Sequence, residues 1–283
     1  MLKIEGLKKN YDGFSLDASL QVPDGIITGL IGRNGSGKST IFKSILGLIK
    51  KDGGNIYYNG KEISQITGED KEEFGIALTD SIFSVHLTIN QVKRVIKGLY
   101  KSFDEALFDK MATQMKLPLN KKIKEFSTGM QAKTKLLLAT THRSKFLLLD
   151  EPTSGLDVIA REEVLDFIRE YMEDNEDASV IISSHIASDL EGLCDDIYLI
   201  EDGKIIFYEE TDVLLSNYGL IKIKEEEFDD LDKNFILKYK KEPFGYKLLT
   251  NEKQYYMDNF PKLVIEKANI DELITIMDKG EDL

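Results

Sequence analysis

The chain has 283 residues, 42% hydrophobic and 31% charged, enough to bury one large core or two modest ones. Its 37 Lys and Arg against 50 Asp and Glu leave a formal charge of −13, which excludes a bulk nucleic-acid binder, because phosphate neutralisation needs a basic surplus on one face. The lone cysteine, Cys194, excludes an internal disulfide framework; its acidic setting in residues 191–196 marks it as structural and fits a reducing compartment. The first thirteen residues, MLKIEGLKKNYDG, lack the apolar core of a signal peptide. No uninterrupted apolar run reaches the roughly 18 residues a membrane-spanning helix requires, so any membrane role needs a partner.

Taken in chain order, Asp12-Gly13 separates two alternating segments, so residues 2–9 and 14–21 are predicted as a hairpin. Pro23-Asp24-Gly25 turns the chain into a buried strand over 26–31, which feeds a glycine-rich loop. A helix is predicted over 38–48, with Ile41, Phe42, Ile45 and Leu48 on one face. Asp52-Gly53-Gly54 ends that unit, and Asn59-Gly60 closes a short hairpin beginning at 55–58. Residues 86–145 have helical spacing instead, in Val92, Val95, Ile96 and Tyr100 and again in Phe108, Met111 and Met115. Strand character returns at 146–150 and 179–183, with a helix over 160–171 between them. That order implies a right-handed crossover in a mixed α/β core. A strand–turn–strand over 196–207, around Asp202-Gly203, closes the unit.

A boundary is expected near 213–218. Beyond it, 225–232 is a solvated charge run, 235–239 and 245–249 are strands joined by a turn containing Pro243, and 268–277 is a helix. The expected division is a nucleotide-binding unit over 1–215, with its helical part at about 86–145, and a small α+β appendage over 216–283. The appendage is not expected to be needed for nucleotide binding.

The strongest chemical signal is Gly32-Arg33-Asn34-Gly35-Ser36-Gly37-Lys38-Ser39-Thr40, a G-x-x-x-x-G-K-[ST] loop between a strand and a helix. Its glycines let backbone N–H groups point inward at phosphates, Lys38 supplies a point charge, and Ser39 offers a hydroxyl to Mg²⁺. The following helix adds its positive end. ATP phosphates are the expected ligand. The second signal is the apolar strand that delivers Asp150 to its C-terminal end, where open α/β sheets bind ligands. Asp150 suits Mg²⁺, and Glu151 is placed to polarise an attacking water.

With these residues in hand, the chain resembles the nucleotide-binding subunits of ATP-binding cassette (ABC) transporters over residues 1–215. Phe126-Ser127-Thr128-Gly129-Met130-Gln131 is similar to the family's signature motif, Ser154-Gly155-Leu156-Asp157 to its D-loop, and Ser184-His185 to its switch histidine. Tyr11 resembles the aromatic that stacks on adenine. The other histidines, His86 and His142, are read as structural. The resemblance implies a P-loop NTPase cassette with a mixed core sheet, an antiparallel β subdomain and a helical subdomain. It also implies two subunits closing head to tail around two ATP molecules. Ser127, Gly129 and Gln131 of one subunit would then complete the site of the other, His185 would contact the γ-phosphate, and Asp157 is a further nucleotide-binding candidate.

One family position departs. Residues 74–80 align with the strand that normally delivers a glutamine to Mg²⁺, and Thr79 or Asp80 stands there; Gln91 comes too late. Asp80 is the expected replacement ligand, with Thr79 as the weaker one. The Ser-Thr-Gly-Met signature and the appendage are similar to subunits serving export-type permeases of drugs, bacteriocins and toxic peptides. The leading reading is therefore a cytoplasmic ATPase, peripheral at the inner face of the cell membrane, that drives a separate transmembrane permease. A soluble ABC ATPase of repair or translation, or an ATP-binding regulator, is the alternative.

Overall fold

The computed structural model describes residues 1–79 and 84–282. Strands β1 (Leu2–Tyr11) and β2 (Phe14–Val22) form the expected hairpin. β3 (Ile27–Ile31) is buried along its whole length and runs into the glycine-rich loop. α1 (Lys38–Ile45) stops earlier than its periodicity predicts, because Gly47 turns the chain with φ +67°. Leu48, predicted on the buried face, is exposed in consequence. β4 (Gly53–Tyr58) and β5 (Lys61–Glu62) make the second hairpin. Short α2 (Gly68–Glu72) follows, its start set by a reciprocal Thr67–Asp70 capping box. β6 (Phe74–Ala77) comes next.

The helical insertion consists of α3 (Ile89–Leu99), α4 (Glu105–Gln114) and α5 (Thr128–Thr140). Gln91 is spent on the cap of α3, accepting from the Thr88 N–H at 2.9 Å. β7 (Phe146–Asp150), α6 (Val158–Asp174) and β8 (Ser179–Ser184) form the strand–helix–strand unit, with β7 and β8 parallel. After short α7 (Ser188–Glu191) come β9 (Asp196–Glu201) and β10 (Lys204–Glu210). The chain ends in α8 (Thr211–Asn217), β11 (Gly219–Ile223), β12 (Ile236–Glu242), β13 (Gly245–Thr250), α9 (Lys253–Asn259), β14 (Val264–Lys267) and α10 (Ile270–Lys279).

Ten strands form one sheet in the order β5-β4-β1-β2-β10-β9-β3-β8-β7-β6. The run β9-β3-β8-β7-β6 is parallel, β10 pairs antiparallel with β9, and the antiparallel β5-β4-β1-β2 group joins β10 through a single parallel residue pair, Lys204 with Asp17. Alternation in β7 and β8 sends Leu147, Leu149, Val180 and Ile182 to one face and Phe146, Leu148 and Ile181 to the other. Both faces are covered, as parallel strands require. α1 packs Ile41, Phe42 and Ile45 on one side; removing the fully buried Phe42 ring would cost about 3–5 kcal/mol. α6 covers the other side with Val164, Leu165 and Ile168.

α5 lies close on β6. A Cβ at Gly75 would stand 2.2 Å from the Ala139 carbonyl oxygen, so only glycine permits that crossing. Four strands of the C-terminal part form a separate antiparallel sheet, β12-β13-β11-β14. The segment near 213–218 is helical, and Leu214 is fully buried. Leu220, Leu249, Leu273 and Ile276 join the same apolar cluster as Leu190 and Leu193, so the C-terminal part shares the core of the larger unit.

Candidate functional site

The glycine-rich loop leaves the buried end of β3 and enters α1 through Gly37, whose φ of +114° is open to glycine and strained for other residues. A Cβ there would also press on Leu16 and Phe14 at 3.0 and 3.1 Å. Arg33, Asn34, Gly35 and Ser39 are exposed. Lys38 is only 5% exposed; its ammonium donates to the carbonyls of Gly32 at 2.6 Å and Arg33 at 3.2 Å. Ser36 Oγ is buried with no hydrogen-bond partner among the described residues. An orphaned hydroxyl and a buried cation facing the loop's own carbonyls fit a loop whose partner is an anion.

Asp150, at the end of β7, is nearly fully buried and ringed by hydroxyls. Its Oδ2 accepts from Ser39 at 3.0 Å and from Thr79 at 3.2 Å, and its Oδ1 accepts from Ser183 at 2.7 Å. Among the described residues no group of three His, Cys, Asp or Glu side chains converges to hold a metal. The donors at Asp150 are hard oxygens, which fits Mg²⁺: that ion binds through one or two carboxylates and completes its shell with water and substrate phosphate. Asp80 lies outside the described residues.

Glu151 sits one residue beyond the strand at φ +52°, a left-handed conformation that costs a non-glycine residue about 1–2 kcal/mol. Its N–H is held by the Ser183 carbonyl and hydroxyl at 3.2 and 3.0 Å. The strained turn swings its carboxylate toward the loop, where Oε1 is 3.1 Å from the Lys38 ammonium. Oε2 is 2.5 Å from Nδ1 of His185, the residue that follows β8. Ser183 was not singled out in the sequence; its signal was a hydroxyl pair, Ser183-Ser184, ending an apolar strand.

A second cluster is built on the adjoining starts of α5 and α6. Ser127 caps α5, accepting from the Met130 N–H at 3.3 Å, and Asp157 caps α6, accepting from the Ala160 N–H at 2.8 Å. Gly129 abuts Ala160, where a Cβ would be 3.0 Å away. Gln131 turns back to donate to the Phe126 carbonyl at 3.2 Å. Ser127, Thr128 and Asp157 are exposed, as are Val158 and Ile159 beside them. The structure therefore brings Lys38, Ser39, Asp150, Glu151 and His185 together and gathers Ser127, Gly129, Gln131 and Asp157 around a different pair of helix starts. Tyr11 ends β1, 47% exposed, with its ring 6.4 Å from that of Phe14, the side chain a Cβ at Gly37 would meet. Thr40 enters α1, where its carbonyl accepts from Ser44.

A cavity of about 570 Å³ adjoins the loop and is walled by Arg33, Ser36, His185, Glu201, Ile274 and Asp278. Glu201 is pushed up to about 7, first by its hydrogen bond with Asp278, then by burial, with Arg33 opposing. Cys194 is fully buried, and burial followed by Asp196 raises its thiol well above the ordinary value, which removes reactivity.

A family model described as "ABC transporter" matches residues 16–154. The chain is 30% identical over 271 residues to the ABC transporter ATP-binding protein YtrB of Bacillus subtilis (strain 168), covering 95% of this chain and 89% of that protein. It is 34% identical over 218 residues to the lantibiotic transport ATP-binding protein SrtF of Streptococcus pyogenes, covering 75% and 92%. A solved structure of an ATP-binding subunit of an ABC transporter superposes with a TM-score of 0.67 at 25% identity, covering 76% of this chain and 91% of that one. With identity at this level over nearly its whole length, the chain belongs to the ATP-binding ATPase subunits of ABC transporters.

Proposed function

We propose that two copies of this chain close head to tail around two ATP molecules and so drive a separate transmembrane permease of the export type. The observation that carries this is the division of the site. The phosphate loop and Glu151 form one exposed half, and Ser127, Gly129 and Asp157 form another around the starts of α5 and α6. A helix start presents N–H groups and positive partial charge to anions, so the exposed starts of α5 and α6 would suit the γ-phosphate in a partner's loop. Export is supported by the signature Ser127-Thr128-Gly129-Met130 and by a relative named for lantibiotic transport.

Arriving phosphates would compete for the Lys38 ammonium, which now binds Gly32 and Arg33 carbonyls and faces Glu151. Lys38 would then neutralise phosphate charge, and the carboxylate of Glu151 would be free to accept a proton from water. His185 holds that carboxylate in place from the far side. Mg²⁺, bound through Ser39 and Asp150, would supply charge neutralisation of the β- and γ-phosphates. Tyr11 would stack on adenine from the rim. Among the described residues no helix is long and apolar enough to cross a membrane, so placement at the inner membrane face would come through the permease.

Light scattering of the full chain with ATP, with ADP and without nucleotide tests the reading, using Glu151→Gln to block turnover. A dimer that forms with ATP and is lost on Ser127→Arg is expected. A chain that binds ATP and stays monomeric at every concentration overturns the split site.

A further inference from the structure

Thr79 follows β6, where the resemblance expects a glutamine, and its contacts are defined. Thr79 Oγ1 is 3.1 Å from the Asp150 carbonyl oxygen and 3.2 Å from Asp150 Oδ2. The same Oδ2 accepts from Ser39 Oγ at 3.0 Å. The two hydroxyls therefore meet on one carboxylate oxygen, on the side of Asp150 opposite Ser183. The backbone under Thr79 is held from another element. The Lys135 ammonium, on α5, donates to the carbonyls of Leu78 and Thr79, each at 2.8 Å. Lys135 lies seven residues along α5 from Thr128, about 10 Å from the signature end.

We infer that Thr79 supplies the Mg²⁺-side oxygen in place of the glutamine, and that Lys135 is a positioning residue that ties this oxygen to the signature helix. This rests on the ATPase site proposed above. The physical difference from a glutamine is stiffness. A threonine hydroxyl is one bond from Cβ, and β-branching restricts its single rotor, so its place is set by backbone. Two charge-assisted bonds from Lys135 fix that backbone to α5. A shift of α5, as when its Ser127 end engages a partner's phosphate, then moves Thr79 relative to Ser39 and Asp150. Signature engagement and metal binding are coupled through one ammonium group.

The test uses the full chain, a non-hydrolysable ATP analogue and Mn²⁺ observed by electron paramagnetic resonance. Thr79→Val and Lys135→Met should each weaken Mn²⁺ binding about tenfold. Affinity for the analogue in EDTA should stay unchanged, and Thr79→Ser should restore the metal. A Thr79→Val chain that binds Mn²⁺ like wild type, or an Asp80→Ala chain that alone loses it, overturns the assignment of Thr79. A Lys135→Met chain with native Mn²⁺ affinity overturns the tether. If wild type binds neither the analogue nor Mn²⁺ with it, the ATPase reading itself fails, a result distinct from these.

Discussion

Nδ1 of His185 lies 2.5 Å from Oε2 of Glu151, and the His185 N–H approaches the same oxygen at 3.3 Å. A carboxylate can only accept, so the proton of this contact sits on Nδ1. With Lys38 at the other oxygen, the carboxylate proposed as general base is held between a cation and an imidazole across three elements: the first residue of α1, the turn after β7 and the turn after β8. The left-handed φ of Glu151 lets its carboxylate reach both partners at once.

Replacing Glu151 with Gln keeps the shape and removes the base. Turnover should fall by a factor of about 10²–10⁴, while ATP affinity stays near wild type. Steady-state phosphate release and equilibrium nucleotide binding, measured side by side, separate the two. Wild-type turnover in this variant would refute the role given to Glu151.

Ser183→Ala strips Asp150 Oδ1 of its donor and the Glu151 N–H of a side-chain acceptor. Leaving buried polar groups unmade costs about 1–3 kcal/mol. Denaturant unfolding should show that loss, and ATPase activity should drop as Glu151 loses its anchor. If both stay at wild-type values, Ser183 is a bystander.

Glu201 gives a pH signature. Its pKa is raised from 4.5 to about 7, led by the hydrogen bond with Asp278 of α10; Asp202 adds to the shift and Arg33 opposes it. The folded state therefore binds more protons than the unfolded one across this window. The stability of α10 docking is fullest below pH 4.5 and declines as pH rises through about 7. Glu201→Gln keeps a neutral hydrogen-bonding group, so it should be more stable than wild type at pH 8, with the gap narrowing toward pH 5. Thermal midpoints across that range decide it; parallel curves would remove Glu201 as the cause.

Truncation after residue 215 tests the role proposed for the C-terminal part. Leu220, Leu249, Leu273 and Ile276 would leave a shared apolar cluster, so the melting temperature should fall by several degrees. Nucleotide binding, proposed to use groups upstream of 215, should persist. A truncated chain that folds and fails to bind the ATP analogue would show that the α10 wall beside Arg33 and Ser36 is part of the site.

The sequence by itself determined the parts whose chemistry is local. The glycine-rich loop needs a strand before it, a helix after it and glycines within, and all three are written in consecutive residues. The β7 and β8 strands were legible because both faces of a parallel core must be apolar, and Asp150 stands out against that run. Ser127 and Asp157 were legible only through the resemblance of their motifs; that they cap α5 and α6 came from the structure. Tertiary structure alone decided the rest. Ser183 carries no motif, and its importance arises only where β8 runs beside β7. That Lys135 reaches Leu78 and Thr79 depends on α5 crossing β6 over Gly75, a contact between residues 56 and 57 positions apart. The packing of α10 against the cassette core follows apolar spacing that would suit many neighbours, and only the folded chain selects one. The opening loop is therefore fixed by short-range backbone chemistry, while the hydroxyl ring and lysine tether proposed to serve its metal are products of long-range packing.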